Sequence, residues 1–241
     1  MARISSPRWM IAALLCAASP LAAGPDWVEP PGVDAGSVPG SAQSITGSGS
    51  LSSIGGELTA VSTASAGADD FEDMYCFQIV DPANFRAVTF PDSTFTGSAN
   101  FDTQLWLFDR NGFGLLANDN AGPKEQGSGL PAPAGIAPGV YCLAISGFDN
   151  DPRSDGGPIF NQESREEVTG PDGKGGQDPI VAWGPPGDAG QYVIALTGAA
   201  FIEVDDSVPT LSEWGMVALA GLLLAAGATI MRRRRVQRPA Q

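Results

Sequence analysis

The chain has 241 residues, of which 31 are Gly and 20 Pro, an excess that argues against a helical bundle and for a turn-rich β protein. Histidine is absent, which removes Ser-His-Asp and Cys-His catalysis, His-ligated metal centres and any imidazole switch. All 27 acidic residues but only six of the 13 basic ones fall between residues 24 and 213, giving that stretch a net charge of −21 that repels nucleic acid and anionic lipid.

Residues 1–23 read as a secretory signal peptide: Arg3 and Arg8 precede a short apolar run from Trp9 to Ala18, Pro20 breaks it, and small residues follow at Ala22-Ala23-Gly24. The apolar run is too short to cross a bilayer, which takes roughly 20 residues. Residues 24–40, rich in Gly and Pro, are expected to form an extended linker, with ordered structure from about Ser41.

The body, residues 41–204, then shows period-2 segments between turn signals, the pattern of an all-β sandwich. In Asp73 to Ile79, Tyr75, Phe77 and Ile79 share one face while Met74, Cys76 and Gln78 share the other. Further strands are expected at Phe85 to Phe90, Thr103 to Phe108, Gly114 to Asn118, Gly139 to Ser146 and Gln191 to Thr197, with an edge strand at Ala200 to Val204. Asn111-Gly112 between the third and fourth segments is a type I′ hairpin signal. Residues 148–188 form an unusually long connection with few strand signals beyond Pro179 to Trp183, and a connection of that length is usually functional or disordered. The order Asp-x-Tyr-x-Phe-x-Ile (73–79), Asp-Thr-x-Leu-x-Leu-Phe-Asp (102–109), Gly-x-Tyr-x-Leu-x-Ile (139–145) and Gly-x-Tyr-x-Ile-x-Leu (190–196) resembles the bacterial pre-peptidase C-terminal (PPC-like) module over residues 34–204. The resemblance implies a jelly-roll-like β-sandwich ectodomain carried by secreted proteins, some of which bind calcium or collagen.

Once the signal is removed, Cys76 and Cys142 remain, each following a Tyr and so lying on the opposite face of its strand. If the two strands are neighbours in one sheet the thiols meet, and a disulfide is the expected state for an exported chain.

Residues 205–213 make a motif and linker, and Val208-Pro209-Thr210-Leu211-Ser212-Glu213-Trp214-Gly215 runs into a charge-free segment ending at Met231. Residues 214–231 are long enough for a short transmembrane helix, and Arg232, Arg233, Arg234 and Arg235 in the tail (232–241) place the C-terminus in the cytoplasm by the positive-inside bias. Motif, span and arginines together resemble the IPTL-CTERM sorting signal, a relative of PEP-CTERM signals, with Val208 in place of the usual Ile. That resemblance implies an exosortase-like membrane peptidase as partner and delivery to the cell surface or an extracellular matrix, often with exopolysaccharide.

Candidate chemistry in the body is limited. Asp102, Asp119, Asp149 and Asp151, with Asn118, Asn120 and Asn150 among them, supply oxygens of the kind calcium prefers, although Asp and Asn are also ordinary turn residues. Trp183 is the aromatic candidate for a sugar ligand; Trp106, set among Leu105, Leu107 and Phe108, reads as core. Paired carboxylates such as Asp69-Asp70 read as solvated charge, and no catalytic motif is present. The expectation is a non-catalytic, structural or adhesive exported protein without an obligatory cofactor, the alternative being a calcium-dependent polysaccharide- or protein-binding module.

Overall fold

A computed structural model describes residues 26–60, 69–91, 96–122, 126–204 and 220–223. The chain divides at Ile202/Glu203, and the first unit is an all-β sandwich. Seven strands frame it: β1 Ser53–Glu57, β2 Glu72–Ile79, β3 Arg86–Val88, β4 Thr103–Asp109, β5 Gly114–Asn118, β6 Gly139–Gly147 and β7 Gln191–Thr197. The larger sheet runs Val168–Thr169, β5, β4, β6, β2, Ala199–Ala200, with Gln43–Ser44 also on β2. The smaller runs Trp27–Val28, β1, β7, β3, Gly129–Leu130, with Ser98–Ala99 also on β7.

Alternation along each strand sets the packing. Tyr75, Phe77 and Ile79 of β2, Leu105 and Leu107 of β4, and Leu143 and Ile145 of β6 meet Tyr192, Ile194 and Leu196 of β7 in the core between the sheets. The opposite faces of the same strands carry Met74, Cys76, Trp106, Phe108, Cys142 and Ala144, and these are buried too. What covers them is the 148–188 excursion, through Ile159, Phe160 and Ile180. That double burial explains why Leu105 to Phe108 is an unbroken apolar run rather than an alternating one.

The excursion is therefore ordered. Pro152–Ser154 pairs with Gly157–Pro158 and Ala182–Trp183 in a small three-stranded sheet, and Val168–Thr169 extends the larger sheet along β5. Its strands are only two or three residues long, too short for any periodicity to register in the sequence.

Cys76 and Cys142 face each other directly in the β2–β6 ladder and are joined as a disulfide, as expected from their strand positions. Two other expectations are corrected. The stretch expected as a linker is bound into the fold from Asp26 onward: Trp27 and Val28 pair in parallel with Ile54 and Gly55, Ala35 is fully buried, and Gly36 O accepts from Met74 N at 2.8 Å. Trp27 supplies the reason, since its ring packs edge-on against Tyr75 at 5.2 Å. The β4–β5 turn is not type I′, which needs positive φ at both central residues. Gly112 alone adopts it (φ 91°), and Asp109 holds the turn by accepting from Gly112 N at its carbonyl and from Asn111 N and Phe113 N at its carboxylate. The expected edge segment divides into Ala199–Ala200 and Ile202–Glu203.

Residues 1–23, the motif at 208–215 and Arg232 to Arg235 lie outside the described residues. Of the expected span at 214–231, residues 220–223 are described and are helical. Among the described residues no helix is long and apolar enough to cross a membrane.

Candidate functional site

The period of β2 places Asp73 two residues before Tyr75, on the face that looks into the sandwich, and the residue is fully buried. Tyr192, arriving from the opposite sheet on β7, donates its hydroxyl hydrogen to one Asp73 oxygen. Tyr75 and Tyr192 hydroxyls lie 2.6 Å apart, so with Tyr192 donating onward Tyr75 supplies the hydrogen between them. Gly56 on β1 leaves the room, because a Cβ there would collide with the Tyr192 hydroxyl and stand 2.8 Å from that of Tyr75. The second Asp73 oxygen, Oδ1, is buried and has no hydrogen-bond partner.

Two further carboxylates converge on it. Asp34 follows the Trp27–Val28 strand and accepts from Gly36 N at 2.7 Å, in the turn that Gly36 pins to β2. Asp70 is fixed by reciprocal backbone bonds with Thr59, 2.8 and 2.9 Å. Asp34, Asp70 and Asp73 each place one carboxylate oxygen within 4.8 Å of the others. Glu29 and Glu72 stand close by, the former accepting from Ala35 N and the latter from the Asn150 side chain.

Burial raises Asp73, Asp70, Glu29, Glu72 and both tyrosines. It pushes Asp73 up to about 8, helped by the charge of Asp70, and Asp70 up to about 7, helped by Asp34, Glu29 and Glu72. Glu29 and Glu72 are raised mainly by burial, and both tyrosines are driven well above their ordinary value by burial and then by the Asp73 charge. The cluster borders an open groove of about 960 Å³ lined by Glu29, Asp34, Glu57, Asp69 and Asp70 together with Tyr192, with no Lys or Arg among its described lining residues. Three converging carboxylates, one with an oxygen that lacks a donor, form a hard-oxygen set fitted to a divalent cation of the calcium class.

The calcium candidates chosen from sequence lie elsewhere. Asp102 precedes β4, Asp119 follows β5 and is 2 % exposed, Asp149 sits in the turn after β6 at φ 70°, and Asp151 accepts from Gln104 Nε2 at 3.1 Å. Their strands bring them to one rim of the larger sheet. The described acidic group that meets at ligating distance is nevertheless Asp34, Asp70 and Asp73. Trp183 donates its indole N–H to Ser37 O at 2.6 Å and sets its ring edge-on to Trp106 at 6.3 Å, so its contacts are those of packing.

The family model described as the IPTL-CTERM motif matches residues 206–235. No curated protein matches the chain, and no solved structure matches it. The likeness of the sandwich to the pre-peptidase C-terminal module is not supported by any family match. The matched motif points to a C-terminal sorting signal on a secreted surface protein.

Proposed function

We propose that the chain is a non-catalytic, exported bacterial protein with a structural or adhesive role at the cell surface or in an extracellular matrix, its sandwich being of the PPC-like kind. The IPTL-CTERM match at 206–235 carries the reading. The directly paired Cys76–Cys142 disulfide suits an oxidising compartment, and a histidine-free body leaves no general base of the usual kind. In this reading residues 1–23 direct export and residues 214–231 hold the precursor in the membrane, with Arg232 to Arg235 in the cytoplasm. An exosortase-like peptidase then cuts near Val208 to Gly215. A proline disfavours helical backbone at the residue before it, which suits the Val208-Pro209 sequence to a peptidase site. Mass spectrometry of surface-released protein is expected to find a C-terminus at or before residue 215. Released protein that still ends at Gln241 overturns the processing.

A second reading, a calcium-dependent module for a polysaccharide or protein ligand, is favoured by one observation: the Asp34, Asp70 and Asp73 oxygens converge beside a groove, and Asp73 Oδ1 lacks a partner. Calcium is expected to raise the Tm of the full chain, and Asp73→Asn to abolish the part of that rise due to this site. An identical response in the variant removes the reading.

A further inference from the structure

A different set of unsatisfied oxygens lies along the same rim of the larger sheet. In that sheet β5, β4, β6 and β2 are successive neighbours. Asp102 at the head of β4 is thus two strands from Asp73, a lateral distance of roughly 10 Å at ordinary strand spacing. The two carboxylate groups are separate sites.

The loops around Asp102 are stitched into a ring by main-chain bonds. Phe148 N donates to Asp102 O (2.9 Å), Thr103 N to Gln126 O (2.9 Å), Ala121 N to Gly127 O (2.9 Å) and Asn120 N to Arg165 O (2.8 Å). The Arg165 guanidinium closes the ring by stacking over Phe148, 4.3 Å from its centroid. Inside this frame Asn118 Oδ1 accepts from Gly129 N and Asp151 from Gln104, but other side-chain acceptors are left over. Asp102 Oδ1, Asp119 Oδ1, Asn120 Oδ1 and Gln104 Oε1 are all buried without a hydrogen-bond partner. Asp119 and Asn120 are 2 % and 8 % exposed as whole residues. Burial is also the first cause raising both Asp102 and Asp119, and Asp119 is raised further by the charge of Asp102, while a side-chain hydrogen bond from Gln126 lowers Asp102. Arg165 opposes that rise at both carboxylates, while Asp151 and Glu166 add to it at Asp119 and Asp188 adds to it at Asp102.

Every one of these orphans is an acceptor. A buried amide or carboxylate oxygen left alone costs a few kcal/mol, and a hydrogen-bond donor or a cation relieves it. We propose that Asp102, Asp119 and Asn120 bind a divalent cation of the calcium class, independently of the Asp34–Asp70–Asp73 group. Two carboxylates and a neutral amide oxygen from two loops make an irregular set that calcium, with six to eight flexible ligands, accepts and magnesium, with its near-ideal octahedron, does not. Bound there, the ion ties the head of β4 to the tail of β5 and secures the ring that leads into the 148–188 excursion.

Calorimetric titration of the full chain in detergent with calcium alone tests the assignment. Asp119→Asn keeps the side-chain shape and is expected to abolish one equivalent of bound calcium, whether or not Asp73→Asn abolishes another. Asn120→Asp adds a ligand charge and is expected to tighten the same equivalent about tenfold, since affinity follows ligand charge. Calcium binding unchanged by both Asp119→Asn and Asn120→Asp overturns the proposal and leaves ordered water as the partner of these oxygens. A single equivalent lost to Asp73→Asn alone overturns it as well. A single equivalent lost to Asp119→Asn alone upholds it and removes the second reading above.

Discussion

Tyr75 and Tyr192 reach from opposite sheets and bring their hydroxyls to within 2.6 Å at the mouth of the core, where Tyr192 passes its hydrogen to buried Asp73. A polar chain thus joins the two layers at the point where the core meets the acidic groove. Its members depend on one another, so breaking one link strands the next.

Removal of the middle link is the direct test. Tyr192→Phe leaves Asp73 with no donor on either oxygen and is expected to lower stability by about 1–3 kcal/mol in chemical denaturation. Gly56→Ala forces the Tyr192 hydroxyl aside without touching its chemistry and should cost about 1–3 kcal/mol as overpacking. A stability loss under about 0.5 kcal/mol in both variants would show that the chain of hydroxyls contributes nothing.

The raised carboxylates set a pH dependence in chelator. Asp73 (about 8) and Asp70 (about 7) hold protons in the folded state that the unfolded chain releases near 4. Their contribution is fully present below about pH 4 and is lost as pH rises through 7 and 8. The groups facing Asp73 (Glu29, Asp34, Asp70 and the two tyrosines) are all acidic, so none reverses the sign. With EDTA present the Tm should fall between pH 5 and pH 9, less steeply in Asp73→Asn. A Tm that climbs over that interval contradicts the assignment.

The disulfide spans 66 positions of sequence. In the chain-entropy model a closed loop of that size contributes about 4 kcal/mol, and the Cys76→Ala/Cys142→Ala double variant should lose a comparable amount. Thiol labelling of denatured, non-reduced protein from its native compartment, with the signal removed, should find no free thiol.

Phe160 packs against both Trp106 (5.4 Å) and Phe108 (6.1 Å), fastening the 148–188 excursion to the sheet. Phe160→Ala should cost about 3–5 kcal/mol and open residues 148–188 to protease while the inter-sheet core stays protected from hydrogen exchange. Protection lost equally in both regions would mean that the two cores unfold as one.

How far these features were legible in the sequence depended on strand length. The four long strands β2, β4, β6 and β7 declared themselves by alternation or apolar runs, and the cysteine positions pointed to a β2–β6 contact whose register only the structure shows. Trp27–Val28 did not, because two residues carry no period and the pairing is held by a Trp27–Tyr75 contact across 48 positions of sequence. Asp73 was partly readable, since it shares parity with Tyr75, Phe77 and Ile79 and had to point inward. Its partners Asp34 and Asp70 were not, because only the folded path of residues 26–36 and the Thr59–Asp70 bridge brings them together. Asp102 and Asp119 were found as strand-end carboxylates, whereas their unsatisfied state appears only once the surrounding main-chain ring is seen.

The smaller sheet also sets an order of events. Its central strand, β7, comes from the far end of the body and is the one that β1, β3 and Ser98–Ala99 all pair with. Within the first 190 residues β1 has only Trp27–Val28 and β3 only Gly129–Leu130 to pair with, so the layer lacks its centre. The smaller layer is thus joined into one sheet only by the last long strand of the body, whereas the ladder from β2 to β6 needs nothing beyond residue 147.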